Sequence, residues 1–276
     1  MPGLILLASY PKSGNTWLRF VLDSFLRGGE AVDINSAPFV NAAARTIVDR
    51  MLGMESADLR ESDLAAIRPR LWAQAARAAS QSAILKTHDA FMASPLGPAP
   101  FEPTSIAAVI HVVRDPRDVA VSFAHHLGVS VDEAITAMAD DGYVLSGEPD
   151  RHRPNLPQFL SSWSGHVESW LGADSPVTTV RYEDMRDHPQ AAFGAAFAAV
   201  GLAADTRALQ RAIVAAGFET LQAQERTDGF TEHRPGASEP FFRKGIAGGW
   251  RSALSAAQAA RIERDHGVVM ARLGYA

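Results

Sequence analysis

An α/β fold, with a central parallel sheet and helices on both of its faces, is predicted by three observations. Short apolar runs alternate with segments of helical spacing along the whole chain. The apolar run Leu4–Ala8 passes through a Gly-containing loop into a helical segment. A second continuous run, Ala107–Val113, is followed at once by Asp115-Pro116, an N-cap with proline at the first helical position. No composition break divides the chain, so residues 1–276 are expected to form one domain.

The elements follow in order. After the first strand, a helix is expected from Asn15 to Arg27. A long helical region covers Glu55–Ser80, with Pro69 expected to kink or break it. Ala83–Lys86 reads as a strand, and the Pro-rich stretch Ser94–Pro103 as a surface loop. Ser130 and Glu133 have the spacing of a capping box. Asp140–Pro157, polar and rich in Gly and Pro, reads as loop. "QFLSSWSGHVESWL" has amphipathic helical spacing, and "VTTVRYED" reads as a strand ending in acids. Asp187–Val200 is expected to be a helix closed by Gly201, Asp205 to cap another, and Ser255 with Gln258 to cap the last. The stretch from Glu225 to Trp250 has no clear period and many turn residues, as a functional loop or lid would.

Composition removes several classes of function. Lys and Arg number 26 against 31 Asp and Glu, a net charge of −5, where a nucleic-acid binder carries a basic excess. There is no cysteine, so a thiol nucleophile, a disulfide or a Cys-based zinc site is excluded, in keeping with a reducing cytoplasm. "GLILLA" is too short to span a membrane and lacks a basic flank, so neither a membrane partner nor a signal peptide is expected.

The chemistry is carried by loops. In "ASYPKSGNTWLR" the helix that begins near Gly14 offers unspent N–H groups and a positive dipole end, which together bind an anion, most often a phosphate. Gly14 permits close approach, Thr16 supplies a hydroxyl and Lys12 a charge. A triphosphate-gripping loop carries its lysine directly after the second glycine, where this chain has Asn15. A shorter 5′-linked group therefore suits the loop better. In "RDPRDVAVSF", Arg114 ends a strand and Ser122 lies two turns into the next helix, so both can face the carboxyl edge where open α/β sheets bind ligands. The plainer alternative is a structural salt bridge from Arg114 to Asp115 or Asp118. In "FFRKGIAGGW", Arg243 and Lys244 form a second candidate anion site in a Gly-rich segment.

Taken together, "YPKSGNTW", "RDPRDVAVSF" and "RKGIAGGW" resemble, in order, the 5′-phosphosulfate loop, the 3′-phosphate strand–helix and the C-terminal segment of the cytosolic-type sulfotransferases that use 3′-phosphoadenosine 5′-phosphosulfate (PAPS) and release 3′-phosphoadenosine 5′-phosphate (PAP). The resemblance implies a P-loop-type three-layer sandwich. It places Lys12, Ser13, Gly14, Asn15 and Thr16 on the 5′-phosphosulfate and Trp17 on the adenine. Arg114, Ser122, Arg243, Lys244 and Gly245 fall on the 3′-phosphate. "LKTHDA" matches the family's Lys-x-His segment and gives Lys86 and His88 to the transfer site, with His88 as base. "RYEDM" places Tyr182 near the adenine, as "AAGFETL" does Phe218. The Trp-x-x-His-Val match at Trp163 is read as structural. No metal is implied, and the acceptor is expected to be a hydroxyl-bearing small molecule or natural product.

This sequence also departs from the family. "RSALSAAQAA" carries none of the family's dimerisation residues, which removes the basis for expecting a dimer through that segment. Ala216-Gly217 replaces a usual Thr-Ser before Phe218. Asp89 follows His88 where an apolar residue is usual, which predicts a more polar acceptor pocket. Ile34–Ser56, Met92–Pro103, Asp140–Pro157 and Glu225–Phe241 are the regions expected to cover the acceptor. His125 and His126 are rival bases that read as surface residues, and His111 reads as a hydrogen-bonded core histidine. Two other functions fit parts of the pattern: a nucleotide-dependent kinase or phosphotransferase, which needs the lysine that is missing here, and a non-catalytic PAP-binding protein, which gains nothing from Lys86 and His88.

Overall fold

The computed structural model describes residues 2–36, 39–146, 154–203, 205–233 and 240–275. The chain opens with β1 (Leu4–Ser9), α1 (Asn15–Leu26), the short β2 (Val40–Asn41), α2 (Arg45–Leu52), α3 (Glu61–Ala78) and β3 (Ala83–Thr87). The middle holds β4 (Ile106–Val113), α4 (Pro116–Leu127), α5 (Val131–Ala139), the two-residue strands β5 (Val144–Leu145) and β6 (Gln158–Phe159), and α6 (Trp163–Leu171). It closes with β7 (Val177–Arg181), α7 (Tyr182–Asp187), α8 (Pro189–Ala199), α9 (Thr206–Ala215), α10 (Phe218–Asp228), α11 (Trp250–Ala253) and α12 (Ala256–Arg272). The strands form a five-stranded parallel sheet in the order β2-β3-β1-β4-β7, flanked by helices, as the alternation predicts. No helix among the described residues is long and apolar enough to cross a membrane.

Two compact units share these elements. The first comprises residues 1–10, 39–111 and 138–179. Its core is built on β1, whose six residues are all buried, as in a strand covered on both faces. Leu4, Leu6 and Ala8 alternate onto one face and pack with Trp72 and Ala76 of α3, Leu85, Phe101, Val109 and Trp170. The parallel register pairs Leu4 with Ala83 and runs to Ala8 with Thr87. Ser9, the last residue of β1, and His88, the first after β3, therefore stand side by side at the carboxyl ends of the two strands.

The second unit comprises residues 11–38, 112–137 and 180–276. An aromatic row holds its helices: Trp17 meets Phe193 at 5.2 Å, Phe193 meets Phe197 at 6.0 Å, and Phe197 meets Phe25 at 5.2 Å between ring centres. The caps are those the sequence specifies. Asp115 accepts from the Arg117 N–H, Asp205 from the N–H groups of Arg207 and Ala208, and Ser255 with Gln258 forms a full capping box. The Ser130–Glu133 pair is reciprocal as well.

Several local expectations are corrected. Pro69 lies inside α3 without ending it; Leu64, Arg68, Trp72 and Ala76 bury one face on either side, against the one bond proline removes. The helix expected over Asp187–Val200 is α8, which begins two residues later because Pro189 keeps His188 out of helical conformation (φ −136°). Tyr182 and the acids after it begin a helix instead of ending a strand. The Pro-rich stretch sends Phe101, 1% exposed, into the core. Asp140–Pro157 contributes β5, and residues 147–153 of it lie outside the described residues; its partner β6 comes from Gln158 and Phe159, which were expected to open a helix that starts only at Trp163. The expected lid is helical up to Asp228, and its residues 234–239 also lie outside the described residues.

Candidate functional site

In the second unit, β4 delivers Arg114 at its carboxyl end, and this side chain is where the three motif segments meet. Its Nη1 donates to the Lys12 carbonyl at 3.2 Å, and its Nη2 to the Ile246 carbonyl at 2.8 Å. Its guanidinium lies 4.3 Å over the Tyr182 ring. One arginine thus spans the first loop, the C-terminal Gly-rich segment and the start of α7. Neither structural salt bridge fully describes it. Asp115 is committed to Arg117 at 2.8 Å, while Asp118 lies 3.8 Å from Arg114. Asp118 instead accepts from the N–H groups of Gly248 (2.7 Å) and Trp250 (2.8 Å), which fastens the C-terminal segment onto α4.

The first loop has the shape of an anion cradle. Lys12 and Gly14 both adopt positive φ, 67° and 109°. A side chain at Gly14 would lie 2.6 Å from the Tyr182 ring, so glycine is required there twice over, by conformation and by space. Asn15, buried, is the first residue of α1, and half-buried Thr16 is the second, so unspent N–H groups crown the loop. The Ser13 hydroxyl and the Trp17 indole nitrogen are buried without a hydrogen-bond partner among the described residues, as donors awaiting a ligand would be. Trp17 stands edge-on to Tyr182 at 6.0 Å. The Lys12 ammonium sits 3.7 Å over the Phe241 ring. These features fit a bound phosphate or phosphosulfate group. The buried Tyr182 hydroxyl is pushed up from its ordinary range by burial, with Arg114 pulling the other way.

The C-terminal segment is held from α10. Glu225 accepts from the N–H groups of Phe241 (2.6 Å) and Phe242 (2.9 Å), and Gln222 donates to the carbonyls of Phe242 and Arg243. Phe218 packs so closely on Gly245 (φ 58°) that a Cβ there would lie 2.3 Å from its ring. Arg243 is half-buried, Lys244 exposed, and Ser122 half-buried on α4. His125 is exposed, and His126 meets Phe241 edge-on at 6.5 Å.

Lys86 and His88 belong to the first unit, both half-buried. The strand register sets His88 Nδ1 at 2.8 Å from the Ser9 carbonyl and 3.3 Å from its hydroxyl. A carbonyl only accepts, so Nδ1 carries the proton and the basic nitrogen of neutral His88 is Nε2. The His88 carbonyl accepts from His166 Nε2 at 3.1 Å, which gives the Trp-x-x-His-Val match its structural role. Burial holds His166 down at about 3. His111, also fully buried, has no hydrogen-bond partner on either ring nitrogen among the described residues; it is a core histidine but not a hydrogen-bonded one, packed between the rings of His166 and Trp170. Asp89 does not polarise a pocket as expected. It is 3% exposed and held by Arg68 and Thr87, so its charge is neutralised inside the unit. Among the described residues no group of three or more His, Asp or Glu is arranged to hold a metal.

Asp118, Glu225, Gln222 and Phe241, which hold these motifs in place, escaped the sequence reading as supports. Asp118 carried the one available signal, an acid four residues after Arg114 in the first turn of α4.

The family model described as the sulfotransferase domain matches residues 2–274 and so runs through both units. Sulfotransferase 1A1 of Canis lupus familiaris is 25% identical over 285 residues, covering 99% of this chain and 85% of the relative. Sulfotransferase 1B1 of the same species is 27% identical, covering 93% and 80%. Among solved structures, retinol dehydratase in complex with androsterone and inactive cofactor PAP superposes with a TM-score of 0.63 at 19% identity, over 96% of this chain and 80% of that one. Mouse sulfotransferase SULT7A1 complexed with PAP gives 0.60 at 19%, over 95% and 83%. By the span of that family model, this chain belongs to the sulfotransferase domain family.

Proposed function

We propose that the protein transfers a sulfuryl group from PAPS to the hydroxyl of a small-molecule acceptor, with residues 1–276 acting as one catalytic domain. The observation that carries this reading is the span of Arg114 across the Lys12 and Ile246 carbonyls with Tyr182 beneath it. It supports a single nucleotide site built from all three motif segments. PAP in the two solved relatives, and the hydroxyl-bearing androsterone in one of them, support the donor and the acceptor class.

In this reading PAPS supplies an activated sulfuryl group with PAP as leaving group. Lys12, Thr16 and the N–H groups opening α1 hold the 5′ end, where negative charge builds on the bridging oxygen as the S–O bond breaks. Lys86 adds a second cation to that charge. Ser13, Asn15 and the Gly14 turn complete the cradle, and Trp17, Tyr182 and Phe218 hold the adenine. Arg114, Ser122, Arg243, Lys244 and Gly245 hold the 3′-phosphate. His88 takes the acceptor proton on Nε2 as the acceptor oxygen bonds to sulfur; its Nδ1–H, bound to the Ser9 carbonyl, fixes the tautomer and the ring.

The test uses ³⁵S-labelled PAPS with EDTA and a panel of alcohols and phenols, on wild type and on His88→Ala. Wild type labels at least one acceptor. His88→Ala loses about 10²–10⁴-fold in rate and keeps PAP binding. Normal turnover by His88→Ala removes the base from the mechanism, and phosphoryl transfer from ATP and Mg²⁺ in place of sulfuryl transfer overturns the reading as a whole.

A further inference from the structure

This inference rests on the reading above, in which Thr16 serves the 5′-phosphate end. Three residues on along α1 stands Arg19, 1% exposed among Leu18, Phe20 and Leu22. A guanidinium so deeply buried is kept only where it is paired. Its Nη2 lies 2.7 and 2.8 Å from the two carboxylate oxygens of Glu232 and 3.3 Å from the Thr16 hydroxyl oxygen. That nitrogen has two hydrogens, one for the carboxylate and one for the hydroxyl. Arginine accepts nothing, so the Thr16 oxygen must accept, and its own O–H is left to point elsewhere. Thr16 lies in the first turn of α1, where the N–H groups and the helix dipole favour an anion. The chain around Glu232 is seated on the same helix, with Phe230 packed on Phe20 at 6.3 Å. Glu232 thereby fixes the guanidinium, and the guanidinium fixes the hydroxyl.

We propose that Arg19 is a positioning residue for the donor nucleotide: held by Glu232, it donates to the Thr16 oxygen and turns the Thr16 O–H toward the 5′-phosphate. A purely structural ion pair would support every part of the pocket alike. A residue acting through Thr16 affects only ligands that carry a 5′-phosphate.

The two roles separate by calorimetric titration with PAP and with adenosine 3′-phosphate, which keeps the nucleoside and the 3′-phosphate but lacks the 5′ group. The proteins are wild type, Arg19→Met, Arg19→Lys, Thr16→Ala and the double variant Arg19→Met/Thr16→Ala. Arg19→Met is expected to weaken PAP by about tenfold, the loss of one charge-assisted hydrogen bond. Binding of adenosine 3′-phosphate stays within about twofold of wild type. Arg19→Lys, whose ammonium keeps the charge and donors, falls between the two and carries the test if Arg19→Met does not fold. In the Thr16→Ala background, Arg19→Met has no further effect. Equal losses for both ligands, or losses that add in the double variant, overturn the proposal. Unchanged PAP binding in Arg19→Met overturns it alone, while a wild type that binds no PAP overturns the cofactor reading and this proposal with it.

Discussion

Single residues account for most of what was legible in the sequence and for most of what was not. Lys12, Gly14, Arg114 and His88 could be singled out because each belongs to a short motif whose residue types suit the proposed chemistry. Arg19 could not, since its partner Glu232 lies 213 positions away and only the fold brings them together. His111 shows the opposite failure: a polar residue in an apolar strand was expected to be hydrogen-bonded, and it is simply buried. Burial holds both His111 and His166 well below the ordinary imidazole range, so the folded state favours their neutral forms. Unfolded imidazoles titrate near about 6.5. The stability these two groups contribute is therefore complete above that pH and falls as pH drops below it, for His166 down to about 3. His111→Leu should leave stability at pH 7.5 unchanged or slightly higher. At pH 5 it should be more stable than wild type, because the burial that keeps His111 neutral costs the wild type stability as the pH falls below the unfolded imidazole range. Urea melts at the two pH values check this, and parallel pH profiles for variant and wild type would count against it.

At the scale of elements, strands and caps were predictable because both depend on local pattern. Misreadings fell at element boundaries: Tyr182 and the acids after it open α7 instead of ending β7, and Gln158 with Phe159, expected in a helix, forms β6. The support of the C-terminal segment was not legible, because Asp118, Glu225 and Gln222 meet that segment's backbone groups, which leave no mark on sequence. Asp118 is the sharpest case. Its carboxylate is 4% exposed and takes two N–H groups of the segment while lying 3.8 Å from Arg114. Asp118→Asn should keep the fold, speed amide exchange at Gly248 and Trp250, and weaken PAP by about tenfold through loss of a charge-assisted bond. Hydrogen exchange by mass spectrometry reads this directly; unchanged protection of residues 246–250 would show that the segment is held by other means.

For the molecule as a whole, the alternation of strands and helices gave the fold class, and the family model spanning residues 2–274 agrees with it. The acceptor stayed illegible, because the regions expected to cover it carry no motif, and parts of them (37–38, 147–153 and 234–239) lie outside the described residues. The central claim is that the three motif segments form one nucleotide site that reads acidic groups at both ends of an adenosine. Calorimetric titration with PAP and with adenosine 5′-phosphate, which lacks the 3′-phosphate that the proposed site assigns to Arg114 and its neighbours, tests it most directly. PAP should bind with one-to-one stoichiometry at least about 100-fold more tightly, since a lost phosphate leaves several charge-assisted bonds unmade. Equal affinity for the two nucleotides, or no binding of PAP, would contradict the account.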